Sequence, residues 1–412
     1  MGYLTRAFSV ATVDHLPTAL RLADAAKPNP LALATTLEKD AEIARIAHLI
    51  GCAPSDIGAR IYRTNHAQPR RKRILIDFFG TKIRLRYRDA ALRRVSPKAL
   101  QMAQYHRAIW ELRVFSCDPD TKERLLDTCP VCQQPLGWLH ALGPTVCDKC
   151  VDDDGLPTVD LRDFEQSLVE IPDEEAFDFV VGLVHPDPSR KQAARKLLPA
   201  EYHDLSNSAL FDAIVAMAFC LADRDARFRV SVKYLAGLTP DMLSTTGRAI
   251  IGGQAGFDTL CERLRHVNGT RAGHHGRIKE LGHLAGLSTS ESPLDPQIRS
   301  ILLEKIETNI ANAVEAESLE TRCPCGRDHE PHSPCVRRGM SRSRPDPRLA
   351  RRAAAAQSLT GGASAPRSPN LSLKRVAKYG SSGGEKPKAI LCASSEQMCG
   401  HINRTRKTHS HE

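Results

Sequence analysis

The chain has 412 residues, with 58 Lys and Arg against 48 Asp and Glu, for a formal net charge of +10. That length supports two or three domains, and the basic balance, with a pI near 9.0, favours an anionic partner, nucleic acid above all. No run approaches eighteen apolar residues, and the amino-terminal MGYLTRAFSVATVDHLP has neither a cationic leader with an apolar core nor a small-residue cleavage site, so the expectation is a cytoplasmic protein without a membrane span.

From about Pro30 to Tyr62 the text is helical. ALATTLEKDAEIARIAHLIG sets Ile43, Ile46, Ala47 and Ile50 near one stripe, Gly51 can end the helix, and Pro54 can open the next. This rhythm fits a DNA-reading unit and equally the packing of an ordinary helical domain. Between Arg70 and Arg88 the period changes to two: Ile74, Ile76 and Phe78 alternate, and after Gly80 so do Ile83, Leu85 and Tyr87, which predicts a hairpin. Its basic positions, Arg71, Lys72, Arg73, Lys82, Arg84, Arg86 and Arg88, suit phosphates; a solvated hairpin face is the alternative. Ser96 to Trp110 then predicts a short helix opening at Pro97.

The strongest motif follows. Cys129 and Cys132 in CPVC, and Cys147 and Cys150 in CDKC, are two C-x2-C pairs with fourteen residues between them, the spacing of a four-thiolate zinc site. Asp127, Pro130, Pro135, Gly137, Gly143 and Pro144 supply the turns, and Leu136, Trp138 and Leu139 an apolar patch. Four thiolates leave no open coordination position, and no H-E-x-x-H pattern occurs, so the expected Zn2+ is structural and supplies folding free energy to a small core. Among the thirteen cysteines, the close C-x2-C and C-x-C pairs, with Cys52, Cys220 and Cys261 scattered through apolar helical text, read as metal ligands and buried thiols rather than disulfides.

The run YHRAIWELRVFSCDPDTKERLLDTCPVCQQPLGWLHALGPTVCDKC resembles the middle of the TniQ family of transposition proteins. Members of that family carry a CPxC pair, a helix ending in W-x-L, a CPxH pair, an L-L-D link, then CPxC and CxxC. By this resemblance Tyr105, His106, Arg107 and Trp110 match the helix, and Leu125, Leu126 and Asp127 match the link into Cys129 and Cys132. Cys117 matches the cysteine of CPxH, with Asp120 at the histidine position, and Ser96-Pro97-Lys98-Ala99 stands at the first CPxC. Two ligand positions have thus changed, and the family's first zinc site is expected to be absent, its space held by apolar packing.

Beyond Cys150 an acidic stretch, VDDDGLPTVDLRDFEQ, leads into helical text. LSNSALFDAIVAMAFCL, from Leu205 to Leu221, reads as a central core helix with Ser206 or Ser208 at its N-cap and Cys220 as a core thiol. Short helices punctuated by Gly237, Pro240 and Gly252-Gly253 follow, resembling the helix-turn-helix-like part of the family. The helix near Phe257 to Arg265 is the DNA-reading candidate there, with bundle packing as the alternative. An amphipathic helix from about Pro296 to Ala316 precedes a second cluster, Cys323, Cys325, His329, His332 and Cys335, four of which suffice for zinc. The remaining text is rich in Arg, Pro, Ser and Gly and predicts a disordered basic tail.

The resulting expectation is a mainly α protein in which helical domains surround a small four-cysteine, zinc-ribbon-like module, with a basic β-hairpin and a disordered carboxy-terminal tail. Its divisions are 1–95 (helical, with the hairpin), 96–155 (zinc module), 156–320 (helical), 321–339 (second cluster) and 340–412 (tail). No P-loop and no nuclease-like triad is present, so no catalysis is expected; a metalloenzyme would need an open metal position and an acid or base such as Glu330. The resemblance implies a transposition accessory protein. Such a protein binds target DNA or a targeting complex, recruits an AAA+ regulator of the TnsC/TniB kind, and is compatible with a homodimer. The rival reading is a zinc-containing DNA-binding transcriptional regulator.

Overall fold

The helix at the centre of the protein begins where Ser206 turns its hydroxyl onto the amide of Ala209, 3.1 Å away. The computed structural model describes residues 15–22, 24, 40–62, 74–89, 92–138, 143–223, 235 and 237–321. Arg71, Lys72, Arg73, Leu139, the Cys323 to Cys335 cluster and the 340–412 tail lie outside the described residues. Among the described residues the fold is mainly α, with twelve α-helices, one antiparallel hairpin and a cluster of four cysteines.

Near the amino terminus lie α1 (Leu16–Leu22), α2 (Asp40–Ile50) and α3 (Pro54–Gly58). Ile43, Ile46 and Ala47 of α2 are buried. Gly51 ends α2 at φ +68, a left-handed conformation that glycine adopts without a Cβ clash, and Pro54 opens α3. The hairpin pairs β1 (Leu75–Phe78) with β2 (Thr81–Arg84) in the register Ile76 to Ile83. Its two-residue turn, Phe79-Gly80, has positive φ at both positions, the geometry that matches strand twist. Ile76, Phe78 and Ile83 are buried as the alternation predicts. Beyond Arg84 the chain tightens into a 3-10 turn, Leu85–Tyr87, so Tyr87 reaches the core from a turn rather than a strand.

The predicted helix from Ser96 to Trp110 is two pieces. The first, α4 (Pro97–Met102), is capped by Ser96; Ala103 is then extended, and a 3-10 turn follows at Ala108–Glu111. The break points Trp110 inward, where its indole donates to Asp118 Oδ1 at 2.7 Å.

The helical body comprises α5 (Glu174–Val184), α6 (Pro188–Lys196), α7 (Asn207–Leu221), α8 (Pro240–Ile251), α9 (Gly253–Asn268), α10 (Gly273–Glu280), α11 (His283–Leu287) and α12 (Pro296–Thr321). The start of α7 has its hydroxyl cap, and its body is buried on nearly every side from Leu210 to Leu221. An apolar all-round helix of this kind belongs at the centre of a core. Gly247 lets α8 approach α5, since a Cβ there would meet the Ala176 carbonyl at 2.6 Å. Ile298, Leu302, Ile306 and Ile310 recur every fourth residue on α12 and form its buried stripe. One contiguous cluster of buried side chains runs from Ile76 to Ile310, passing through the sequence-suggested divisions near residues 95 and 155. Phe211 on α7 is one of the joints, with its ring 5.8 Å from Tyr87 and 6.2 Å from Phe115. No described helix is long and apolar enough to cross a membrane.

Candidate metal centre

The first C-x2-C pair sits on a tight hairpin. Cys129 N–H donates to the Gln134 carbonyl at 2.9 Å and Gln133 N–H returns to the Cys129 carbonyl at 3.0 Å, with Gln133 at φ +56. The second pair follows Gly143, whose φ of +98 turns the chain back, and Cys147 N–H anchors to the Val159 carbonyl at 3.0 Å. These two turns bring all four sulfurs to one point. Their Sγ atoms lie within 4.8 Å of one another, with Cys129 to Cys150 at 3.8 Å and Cys132 to Cys147 at 3.9 Å. Those separations are far beyond a disulfide, and all four cysteines are free. They match the edge of about 3.8 Å that a tetrahedron with metal–sulfur bonds of ~2.3 Å requires. The cluster is thus able to hold a metal ion.

The sulfur environments differ. Burial acts to raise the Cys129 thiol, but the amides of Cys132 and Val131 and the neighbouring sulfurs outweigh it and bring the group below its ordinary value. Burial raises Cys150, and the adjoining thiols push the same way, because like charges gathered at one site disfavour one another. Lys149 N–H donates to Cys147 Sγ at 3.4 Å, and Lys149 Nζ to the Pro135 carbonyl at 2.9 Å, tying the two halves together. Leu136 and Trp138 are buried beside the cluster, as the sequence suggests.

Arg93 is the residue that sequence reasoning missed. Its guanidinium is 1% exposed and enters the loop that carries Cys147, donating to the carbonyls of Gly143 at 2.8 Å and Val146 at 2.6 Å. Asp148, equally buried, lies 3.8 Å from Arg93 Nη2 and accepts the Gly137 amide at 3.2 Å. Burial lowers the Arg93 pKa while Asp148 and the cysteines Cys147 and Cys129 oppose the shift. Arg93 and Asp148 thereby fix the turns that fix the sulfurs, a role outer-shell groups commonly play at metal sites. In sequence both look like surface charges, and the only signal is the run Arg93-Arg94-Val95 placed where the chain turns inward. Arg94 faces the other way, donating to the Phe115 carbonyl at 2.7 Å, and burial lowers its pKa to about 9.

The residues that carry the TniQ resemblance pack against this module. His106 lies between Trp110 and Trp138, with ring centroids 5.3 Å and 4.9 Å away, and burial lowers its pKa to about 3, so the ring is neutral. Arg107 joins Asp118 and Asp120. Cys117 and Asp120 do not act together. The Cys117 thiol is packed in the apolar core, where burial pushes it up to about 11. Asp120 instead bridges Arg107 and Arg190, and their ion pairs hold its carboxyl below the usual range against the effect of burial. The space where the sequence suggests apolar packing is polar. Ser96 Oγ meets Thr121 Oγ1 at 3.1 Å and also bonds Glu123, a carboxylate with no exposure.

The basic positions of the hairpin are distributed differently from a single face. Arg84 and Arg88 point into the fold, pairing with Asp212 at 2.8 Å and with Glu111 respectively. Their charges are spent on buried acids, because a guanidinium inside the core requires a partner. Arg86 is half-buried and Lys82 exposed. On α9, Arg263 forks onto Asp241, and Arg265 reaches Glu280 and Asn309. Cys220 and Cys261 are buried thiols outside any disulfide, and Cys220 Sγ donates to the Ala216 carbonyl at 3.4 Å.

No family model matches the chain, and no match was found among curated proteins.

Proposed function

We propose that this protein is a non-catalytic accessory factor of DNA transposition, which binds target DNA or a targeting complex and recruits an AAA+ regulator of the TnsC/TniB kind. The observation that carries the non-catalytic part is the closed donor set: four sulfurs at tetrahedral spacing fill a metal's coordination shell and leave no position for water or substrate. The metal we assign is Zn2+, for which four thiolates are the usual structural set. When bound it supplies folding free energy and fixes the hairpin 129–134 against the loop 143–150. The transposition part rests on the resemblance between Tyr105 and Cys150. In the reducing cytoplasm, where this reading puts the protein, the thiolates stay free to bind metal.

The scaffold acts by geometry. Arg93 and Asp148 lock the metal loop, Phe115 and Asp120 join the module to the helical body through Phe177, Phe211 and Arg190, and exposed cations such as Lys82 are available to phosphates. The test is a mobility shift of the zinc-loaded protein on random and element-adjacent DNA at ~0.15 M salt, with and without the neighbouring AAA+ protein. Salt-sensitive binding strengthened by the ATPase is the expected result. Binding to neither DNA nor ATPase overturns the reading, and sequence-specific binding near its own gene without the ATPase favours a transcriptional regulator instead.

A further inference from the structure

The hairpin that carries Cys129 and Cys132 has a twin in the same chain. Asp118 N–H donates to the Glu123 carbonyl at 2.8 Å as Cys129 N–H does to Gln134, and Lys122 N–H returns to the Asp118 carbonyl at 2.9 Å as Gln133 N–H does to Cys129. Cys117 bridges Arg124 as Thr128 bridges Pro135, and Leu125 N–H bonds the Ser116 carbonyl as Leu136 N–H bonds that of Asp127. Lys122 takes φ +58 where Gln133 takes +56, a conformation uncommon outside glycine. Every one of these correspondences is a shift of eleven residues. In that register DPDT stands on CPVC, with Pro119 on Pro130, Asp118 on Cys129 and Thr121 on Cys132.

The side chains repeat the relation. The Cys129 thiol accepts the amide of Cys132, and Asp118 Oδ2 accepts the amide of Thr121 at 2.9 Å. A second arm then meets the twin as CDKC meets CPVC. Ser96 Oγ lies 3.1 Å from Thr121 Oγ1 and accepts the amide of Ala99, three residues on, at 3.0 Å. We propose that residues 116–125 are a second copy of the metal-holding hairpin that has exchanged its metal for hydrogen bonds, with Ser96, Ala99, Asp118 and Thr121 standing at the four ligand positions.

The replacement is complete enough to exclude a cation. Asp118 Oδ1 accepts from Trp110 Nε1 at 2.7 Å and Arg107 at 3.1 Å, and its Oδ2 from the Thr121 amide and hydroxyl, both at 2.9 Å. Glu123 Oε1 accepts the Gln166 amide at 2.7 Å, and its Oε2 the Lys98 amide at 2.9 Å together with the Ser96 hydroxyl. Every carboxylate oxygen therefore has protein donors, and the Arg107 guanidinium supplies the positive charge a metal would have carried. A buried network of this kind holds shape only because all its members are satisfied. The consequence is a module with two ends of one design, of which 127–151 depends on metal and 96–125 does not.

Two experiments test this. The substitution set Ser96→Cys, Ala99→Cys, Asp118→Cys and Thr121→Cys restores thiols at the four positions, and metal content is read by elemental analysis and by thiolate-to-cobalt absorption after Co2+ loading. The folded variant should hold one more ion per chain than the unsubstituted protein; a folded variant with an unchanged count overturns the proposal. In the unsubstituted protein, hydrogen exchange is compared before and after chelation. The amides of Asp118, Lys122 and Leu125 should keep their protection while those of Cys129, Gln133 and Leu136 lose theirs. Simultaneous loss at both hairpins overturns the proposal, even where the cysteine variant does not fold.

Discussion

Two regions of this molecule reach a buried, ordered state by opposite means. Between Arg93 and Asp148, six charged side chains are buried, namely Arg93, Arg94, Glu111, Asp118, Glu123 and Asp148. Across α5 to α9, among the described residues, none is. The difference follows from backbone arithmetic. A helix satisfies its own amides and carbonyls, so α7 needs only apolar surface around it. The module runs through turns and single bridges, leaving peptide groups that side-chain donors and acceptors must satisfy instead: Arg93 on the carbonyls of Gly143 and Val146, Glu123 on the amides of Lys98 and Gln166. Charged residues are thus the packing material of the first region and the surface of the second.

Loss of the metal separates the two outright. Cys147→Ser should abolish metal binding and with it an apparent stabilisation on the order of 10 kcal/mol. Amides over 128–151 should then exchange freely while the far-UV signal of α5 to α9 persists. Loss of helicity in step with the metal would show that the regions fold as one unit and would erase the distinction.

Arg93→Met comes next. It takes away the counter-charge 3.8 Å from buried Asp148, a change that costs about 3–5 kcal/mol, and it removes the donors that hold the metal loop. Metal affinity should fall ~10–100-fold by competition with a chromophoric chelator. Adding Asp148→Asn should restore part of the stability but not the affinity, because the Gly143 and Val146 carbonyls remain without the Arg93 donor.

The sequence was legible where one physical signal dominates. The four-cysteine cluster is visible because C-x2-C pairs do little else at that spacing, and α7 because Ser206 precedes an apolar run. The interior of the module was not. Arg84 and Arg88 alternate with apolar residues as a solvated face would, and nothing in the alternation reports that Asp212 and Glu111 wait across the fold. In the register of the twin hairpins Asp118 rather than Cys117 stands opposite Cys129, and the proline shared by DPDT and CPVC marks that register. The helix predicted over 96–110 failed at Ala103 because tertiary bonds to Asp118 and ring contacts at His106 override local propensity.

Where α5 meets α8, shape is the sensitive quantity. Gly247→Ala places a Cβ 2.6 Å from the Ala176 carbonyl and 2.8 Å from Val180 Cγ2, so α5 and α8 must separate. Overpacking of this kind costs about 1–3 kcal/mol, read as a lower denaturant midpoint at unchanged metal content. A change confined to the module's hydrogen exchange would contradict the assignment of this contact to the body alone.

The smallest effect tests an ion pair at the start of α5, where Asp173 meets Arg248 of α8. Asp173 caps α5 through the Ala176 amide at 3.0 Å and receives Arg248 through two bonds, 2.6 Å and 2.7 Å. The hydrogen bonds from Arg248 hold its carboxyl below the ordinary value, burial opposes them, and the Ala176 amide adds to the lowering. Because the folded-state value is the lower one, the stabilisation is fully present above the unfolded carboxyl's pKa of ~3.9 and is lost as pH falls through the folded value. Asp173→Asn keeps a cap acceptor but removes the charge, so at pH 7 it should cost about 1 kcal/mol, solvent screening of this half-exposed pair limiting the effect. The difference between variant and parent should shrink as pH falls below about 4, where the carboxyl of the unfolded chain takes up its proton, and should be gone once the folded parent's carboxyl has done so at lower pH. A difference that stays constant down to pH 2 would mean that Asp173 acts through its shape and not its charge, and the contrast between the module and α5 to α9 would then be sharper than the ion pair suggests.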